Sequence, residues 1–403
     1  MSIHWHRIQE LLRREGIPAW FLYDFRGSNP FAVQLLGLPE HLHATRRWAV
    51  LIPAEGRPQK LVHRIEPHVL SGVDADEHLY STHAEWRAVL AVWCQRYRQL
   101  ALEYSPEAAL PMVSVVDAGT AELLRQLGAE LISSADLLQE LIAVGTPEQL
   151  EQQAQTAQAL HAVLRQSFAW LRERLLSGET PSEYAVQCFL LERLAELGLQ
   201  TDAAPIVART ERAANPHYSP TAEDSAPIRP GDLVLIDLWA KPQQGSAFYA
   251  DITWMAYAGE DVPAAFATPF AVLCHARDHA VALIQDALQQ SRPIAGYEVD
   301  RAVRSLLEAA GYGADFLHRT GHSLGTEVHG PGANLDDYET HDTRRLVPGS
   351  AFTVEPGIYR AGQFGMRTEI DVQLRHDGSL RVCPEPQQQQ IVPLLHLDWE
   401  RFV

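Results

Sequence analysis

The feature that most constrains this chain is a pair of aspartates inside two apolar, strand-like segments. Asp237 lies in Leu-Val-Leu-Ile-Asp-Leu-Trp, and Asp251 lies in Phe-Tyr-Ala-Asp-Ile-Thr-Trp. A carboxylate within a buried strand is costly unless it is paired, hydrogen-bonded or bound to a cation. Taken alone, either residue is also compatible with a structural aspartate that backbone donors satisfy. If the two segments pair in one hairpin, the carboxylates face each other, and a cation between them would relieve their repulsion.

Two glutamates further along the chain have a similar setting. Glu355 follows the strand-like run Ala-Phe-Thr-Val and precedes Pro-Gly. Glu369 lies in a segment, 366–375, that we predict to be one strand, with Glu369, Asp371 and Gln373 on the same face because side chains alternate along a strand. For Glu369, an ordinary solvated strand face is the alternative interpretation.

The sharpest motif is the glycine-rich segment 321–330, which reads Gly-His-Ser-Leu-Gly-Thr-Glu-Val-His-Gly. Its two histidines, His322 and His329, lie seven residues apart, and core packing explains such a placement poorly. One imidazole combined with four carboxylates is a donor set that suits Mn²⁺, Co²⁺ or Zn²⁺. A further candidate is His217, in Asn-Pro-His-Tyr-Ser-Pro, for which a surface-loop histidine is the alternative.

The order Asp, Asp, Gly-His-x-x-Gly-x-x-Val-His, Glu-Pro-Gly and Arg-x-Glu resembles the superfamily of proline-specific and methionine aminopeptidases with the pita-bread fold. The resemblance covers residues 147–395 approximately. It implies two divalent metal ions, manganese preferred and cobalt or zinc as alternatives, with five ligands: Asp237, Asp251, His322, Glu355 and Glu369. It also implies catalytic roles, including a general base at Glu355, for five residues: His217, His329, Glu355, Tyr359 and Arg367.

The break at Gly145-Thr146-Pro147 predicts a domain boundary, because these residues favour a chain break followed by a new helix. We expect an α+β protein in which a creatinase-like α/β domain (1–145) precedes a pita-bread catalytic domain (146–403). This two-part layout is more similar to Xaa-Pro dipeptidases, Xaa-Pro aminopeptidases and creatinase than to methionine aminopeptidases. The resemblance also implies a homodimer.

Apolar spacing and capping residues predict the elements that carry these motifs. Thr180-Pro181-Ser182-Glu183 predicts a helix with Thr180 as its N-cap, ending near Gly198. Further helices are predicted at 147–176, 263–290 and 297–310. Strands are predicted at 233–240, 248–257, 351–355 and 366–375.

Charge and cysteine usage narrow the possible partners and compartment. With 33 Lys and Arg against 51 Asp and Glu, the net charge is −18, which disfavours nucleic acid and anionic membranes as partners. The four cysteines are far apart and form no Cys-x-x-Cys pair, so we expect reduced thiols and a cytoplasmic location. No secretory signal is expected in the N-terminal sequence.

The expected activity is hydrolysis of the bond before proline in short peptides by an Xaa-Pro dipeptidase. An Xaa-Pro aminopeptidase acting on longer peptides, a hydrolase of another C–N bond and a non-catalytic binding module are the alternatives. Three residues depart from the pattern of the superfamily and bear on substrate range: Gly330, Trp239 and Trp254. We expect Trp239 or Trp254 to add apolar surface to the walls of the site.

Overall fold

The computed structural model describes residues 5–39 and 41–403. The chain folds into two compact units, residues 1–142 and residues 143–403. Both units mix helices with sheets, as the predicted α+β class requires. Within the described ranges, no helix combines the length and the apolarity that a membrane crossing needs.

The first unit is built on a six-stranded mixed sheet in the order β4-β3-β2-β1-β5-β6. Its side chains alternate between two apolar cores, with Trp20 and Leu22 in one and Phe21 and Tyr23 in the other. The strands are β1 (Ala19–Asp24), β2 (Trp48–Pro53), β3 (Gln59–His63), β4 (Asp76–Tyr80), β5 (Gln99–Leu102) and β6 (Glu130–Ser133). The helices are α1 (Trp5–Arg14), α2 (Pro30–Leu35), α3 (His83–Arg96), α4 (Ala118–Gln126) and α5 (Ala135–Leu138).

The second unit contains a five-stranded sheet (β17-β10-β9-β7, with β8 also paired to β9), a four-stranded sheet (β11-β12-β15-β16) and the hairpin β13-β14. Its helices are α6 (Pro147–Leu176), α7 (Glu183–Glu196), α8 (Ala264–Gln289) and α9 (Gly296–Ala309). Its strands are β7 (Leu199–Gln200), β8 (Ile206–Arg209), β9 (Leu233–Pro242), β10 (Ala250–Tyr257), β11 (Ser323–Leu324), β12 (Ala351–Val354), β13 (Gly357–Arg360), β14 (Phe364–Arg367), β15 (Ile370–Leu374), β16 (Leu380–Cys383) and β17 (Val392–Pro393).

The alternation of side chains along β9 determines which of its residues lie on the same face as Asp237. Val234, Ile236 and Leu238 belong to the core that includes side chains of α6 and α7. Leu233 and Leu235 belong to the core that includes side chains of α8 and α9. Successive side chains of a strand point to opposite faces, so Asp237 shares the face of Leu233 and Leu235.

Two predicted elements differ from the structure. The helix predicted from Thr180 instead begins at Glu183 with Ser182 as its N-cap, because Ser182 is in extended backbone and Pro181 O accepts from Ile228 N at 2.8 Å. The single strand predicted at 366–375 is divided into β14 and β15. At the break, Thr368 N donates to Pro356 O and Glu369 N donates to Thr253 O, so the chain passes from the β13 hairpin to the sheet of β12.

Candidate active site

The hairpin of β9 and β10 places the two aspartates on one face. The antiparallel register pairs Asp237 with Thr253 and Asp251 with Trp239. Asp237 and Asp251 are therefore diagonal neighbours and not directly opposite, which corrects the expectation that they face each other across the ladder. Diagonal side chains on one face are still within reach of a common ligand.

Three further segments bring the remaining predicted ligands to this face. His322 Nε2 lies 3.6 Å from Asp251 Oδ2 and 3.6 Å from Glu355 Oε1. Donor atoms of Asp251, His322 and Glu369 all lie within 4.8 Å of one another. Glu355 directly follows β12, and Glu369 lies at the break between β14 and β15. The fold thus gathers residues that are distant in sequence into one cluster.

Close backbone packing fixes the position of His322. A Cβ atom added to Gly321 would lie 2.0 Å from Thr353 O, so only glycine allows the chain to approach β12 this closely. Next to it, Thr353 N donates to His322 O at 2.9 Å. Gly330 is similarly confined, since a Cβ there would lie 2.9 Å from the carbonyl carbon of Leu324. Close packing against Leu324 therefore explains why residue 330 is a glycine.

Burial dominates the electrostatics of the cluster. It raises the pKa of Asp251 and of Glu369 well above their usual range, and repulsion from neighbouring carboxylates adds to the shift. Burial likewise raises the pKa of Glu355 to about 7, although Arg367 opposes this shift. Burial lowers the pKa of His322 well below its usual value, so its imidazole is neutral and able to act as a ligand.

The donor set fits a bound cation. Among the described residues, Asp237 Oδ1 and Asp251 Oδ1 are buried side-chain oxygens without a hydrogen-bond partner. An unsatisfied buried carboxylate oxygen carries a large desolvation cost, which a divalent cation would remove. Oxygens of Asp237, Asp251, Glu355 and Glu369 together with His322 Nε2 are suitable donors for such ions.

A chain of hydrogen bonds centred on Arg367 holds Asp237 in position. Arg367 donates through Nη2 to Asp237 Oδ2, through Nη1 to Tyr359 OH (2.9 Å) and through Nε to Thr253 Oγ1 (3.1 Å). His318 Nε2 lies 2.8 Å from the same tyrosine oxygen. All three nitrogens of the Arg367 guanidinium thus donate a hydrogen bond, to Asp237, Tyr359 and Thr253.

Several supporting residues escaped the sequence reasoning. Thr253 Oγ1 donates to Glu369 Oε2 at 2.6 Å, and Thr353 Oγ1 donates to Glu355 Oε1 at 3.2 Å. The carboxylate of Asp371 accepts from Asp251 N at 3.2 Å and 3.3 Å. The sequence offered a signal for Asp371, which alternation places on the face of Glu369, and for His318, which stands four residues before His322 in His-Arg-Thr-Gly-His.

The cluster opens into a cleft of about 490 Å³, within the roughly 300–1,000 Å³ of small-ligand sites. His217, His329 and Trp239 line it, and the His329 ring stands edge-on to that of His322 at 4.5 Å. The expectation that Trp254 adds to the wall is wrong. Trp254 lies on the opposite face of β10, packed 4.8 Å from the ring of His161 on α6, because it is three residues from Asp251.

The comparison with known proteins covers the segment of the chain that contains these site residues. The model of metallopeptidase family M24 matches residues 151–376, more than half of the chain. The chain belongs to metallopeptidase family M24. The resemblance inferred from the motifs is therefore confirmed, and this M24 protein is a metal-dependent peptidase.

Individual relatives agree with the family assignment. The chain is 27% identical over 356 residues to a probable dipeptidase PepE of Mycobacterium tuberculosis, covering 87% of this chain and 86% of that protein. It is 29% identical over 223 residues to an Xaa-Pro dipeptidase of Lactobacillus delbrueckii subsp. lactis, covering 55% and 56%. The crystal structure of dipeptidase PepE from Mycobacterium ulcerans matches with a TM-score of 0.65 at 23% identity, covering 96% and 98%. These likenesses confirm the predicted pita-bread fold class.

Proposed function

We propose that this M24 peptidase is a dinuclear exopeptidase that cleaves the bond before proline in Xaa-Pro dipeptides. The observation that carries the proposal is the pair of unpartnered buried oxygens on Asp237 and Asp251 beside His322, Glu355 and Glu369. Two divalent cations held by these five residues would lower the pKa of a water molecule and polarise the scissile carbonyl.

The protein's own side chains supply the proton transfer and the orientation. Glu355, whose Oε1 lies 3.6 Å from His322 Nε2, is the carboxylate placed to accept the proton of the attacking water. Arg367 donates a hydrogen bond to Asp237 and thereby orients this proposed metal-binding side chain. His217 and His329 line the cleft, where their ring nitrogens can hold the substrate carbonyl as charge develops on its oxygen.

The proline preference rests on the shape of the cleft and on a relative. Proline lacks an N–H and has a fixed φ, so a site that accepts it needs apolar walls and no demand for that donor. Ile206, Pro216, Trp239, Leu317 and Val328 supply apolar surface in the cleft. An Xaa-Pro dipeptidase is among the relatives, at 29% identity.

The decisive assay compares kcat/KM for Ala-Pro and Leu-Pro with that for Ala-Ala and Leu-Ala. We expect an advantage of at least about tenfold for the proline dipeptides, equivalent to roughly 1.4 kcal/mol in transition-state binding. Equal cleavage of both sets would remove the proline claim, and faster cleavage of extended peptides would make the enzyme an aminopeptidase. Turnover of other amides without Xaa-Pro cleavage would indicate a different C–N hydrolase.

Chelation provides the test of metal dependence. We expect exhaustive chelation to abolish turnover and Mn²⁺ to restore it better than Co²⁺ or Zn²⁺, with two ions bound per chain by elemental analysis. Full activity of the chelated protein would contradict the metal site.

Three further expectations stay predictions: the domain division between residues 145 and 146, the homodimer and the cytoplasmic location. Sedimentation equilibrium tests the dimer.

The role of His329 can be separated from metal binding. Substituting His329→Ala should lower kcat by roughly 100-fold or more, since a group that stabilises developing charge is removed. Metal content should remain at the wild-type level. Loss of metal in the variant would make His329 a ligand, and an unchanged kcat would make it structural.

A further inference from the structure

The wall of the cleft beside the carboxylate cluster carries an indole ring. Trp239 lies two residues after Asp237, so the two side chains share one face of β9, and Trp239 pairs directly with Asp251 in the ladder. The ring lines the cleft and packs against the small apolar core that contains Val328. Because Trp239 departs from the pattern of the superfamily, this wall is a property of this chain in particular.

An exposed carboxylate holds the polar edge of this indole. Trp239 Nε1 donates to Asp202 Oδ1 at 2.6 Å. The register of β7 and β9 pairs Gln200 with Lys241, and its continuation by two residues places Asp202 beside Trp239. The sheet therefore sets a carboxylate next to the aromatic wall of the cleft.

The charge of Asp202 is not matched by a neighbouring cation. In the part of the chain that the structure describes, no lysine, arginine or histidine nitrogen lies at ion-pair distance from its carboxylate. Lys241 shares the face of Trp239 on β9, but its ammonium donates to Thr326 O. That ammonium also lies 4.8 Å from the centroid of the Tyr249 ring. Asp202, which is exposed, can therefore pair with a cation that a ligand brings.

The field of Asp202 extends into the cleft. Burial lowers the pKa of His329 and the charge of Arg319 lowers it further, whereas the charge of Asp202 opposes this lowering. His329 lines the cleft. Asp202 therefore lies near enough to act on a charged group that is held there.

We propose that Trp239 and Asp202 form a subsite for a basic side chain on the first residue of the substrate, so that arginine or lysine is preferred before proline. This inference rests on the proposed peptidase function. Asp202 repels the C-terminal carboxylate, which belongs to the second residue of a dipeptide, so the residue next to it is the first one. The basic group would lie against the indole, whose face attracts cations, and would pair with the Asp202 carboxylate.

The test compares Arg-Pro with citrulline-Pro, because citrulline has the shape of arginine without its charge. The wild type should favour Arg-Pro by roughly 3- to 30-fold in kcat/KM, the range expected for an exposed ion pair combined with a cation–π contact. The difference should lie mainly in KM. It should shrink as the salt concentration rises, since Asp202 is exposed.

Two substitutions separate the carboxylate from the indole. Asp202→Asn keeps an oxygen that can accept from Trp239 Nε1 but removes the charge, whereas Trp239→Leu removes the aromatic face and keeps the charge. Each should lower the ratio of Arg-Pro to citrulline-Pro cleavage by roughly two- to fivefold, and the double variant should bring it to about one. Asp261→Asn is the matched control, because Asp261 is an exposed aspartate outside the cleft lining, and it should keep the wild-type ratio.

Each outcome decides between this inference and others. A wild type that cleaves Arg-Pro and citrulline-Pro equally overturns the subsite and leaves the peptidase function standing. An Asp202→Asn variant that loses both substrates equally also overturns it, since Asp202 would then act on a group that both peptides share, such as the α-amine. If Trp239→Leu does not fold, Asp202→Asn and the salt dependence carry the same comparison.

Failure of the proposed function is distinguishable from failure of the subsite. If no peptide is cleaved, the proposed function fails, and binding alone tests the subsite. Calorimetric titration of the metal-loaded protein would then use the reduced-bond (CH₂–NH) analogues of Arg-Pro and citrulline-Pro. Tighter binding of the arginine analogue, lost in Asp202→Asn, supports the subsite, and equal or absent binding of the two analogues overturns it.

Discussion

Both units of the chain bury carboxylates completely, but they treat the carboxylate oxygens differently. In the first unit, Glu103 accepts from Trp20 Nε1 (2.7 Å) and Ser134 Oγ (3.0 Å) on one oxygen and from Asn29 Nδ2 (2.6 Å) on the other. In the second unit, Asp237 and Asp251 each keep one buried oxygen without a partner. Glu103 is surrounded by neutral donors, whereas Asp251 is surrounded by other carboxylates.

The comparison shows that burial of an acid does not by itself indicate a functional site. Burial raises the pKa of Glu103, as it does for Asp251 and Glu369. The distinguishing property is the state of the lone pairs, which are satisfied by protein donors around Glu103 and left open at the two aspartates. Open lone pairs on several converging carboxylates are a donor arrangement that suits a divalent cation.

The largest expected effect comes from substituting Asp251→Asn. Removing a ligand should eliminate metal binding and reduce activity by at least about 1,000-fold. In metal-free protein the same change should raise the free energy of unfolding by roughly 1–2 kcal/mol, because it removes the cost of burying an acid whose pKa burial and neighbouring carboxylates raise. Elemental analysis and urea unfolding of chelated protein measure the two effects. A chelated variant less stable than chelated wild type would contradict the electrostatic account.

The substitution Glu103→Gln should have the opposite effects to Asp251→Asn: it should lower the free energy of unfolding and leave metal binding unchanged. A glutamine amide at this position must direct an N–H group toward the amide nitrogen of Asn29 or toward the indole N–H of Trp20, and both of these groups are donors. We expect a loss of about 1–3 kcal/mol in the free energy of unfolding, the cost of an unsatisfied buried donor. Metal content should stay at the wild-type level. An unchanged free energy of unfolding would mean that the donors around Glu103 rearrange freely.

The smallest effect concerns His161, whose Nε2 is buried and unpartnered among the described residues although no metal cluster surrounds it. Burial lowers its pKa to about 4, and the charge of Arg165 contributes. The unfolded chain therefore binds this proton near pH 6.5, before the native state does, and stability falls as the pH drops from about 6.5 toward 4. Relative to His161→Phe, wild type should lose roughly 1–2 kcal/mol between pH 7 and pH 4.5 in denaturant titrations. Parallel pH profiles for the two proteins would show that His161 is not the titrating group.

The sequence was sufficient to predict the long helices and the fold class. The helix predicted at 147–176 is α6, Pro147–Leu176, because its apolar stripe and its capping residues agree. The five ligands stay a prediction, which came from the motif order that resembles the superfamily and from the cost of acids in apolar strands. The structure brings four of them within the distances given above, around His322 and Asp251.

The errors arose where pairing between distant segments decides the geometry. The break at Thr368 depends on hydrogen bonds to Pro356 and to Thr253, which no local pattern encodes. The helix start at Ser182 depends on Ile228, more than a helix length away in sequence. The misplacement of Trp254 was avoidable, since an odd spacing from Asp251 in one strand already puts the two side chains on opposite faces.

The distribution of the cluster along the chain has a consequence for the order of folding. Helices α8 and α9 lie between Asp251 and His322, and β12 and the β13-β14 hairpin precede Glu369. Closing such long loops costs entropy before any contact repays it, so the five side chains meet only after most of the second unit has condensed. Ion capture would then be a late event that acts as a non-covalent staple across the unit. Nascent chains without metal would keep the segment around Gly321 accessible to proteases for longer than chains that have bound their ions.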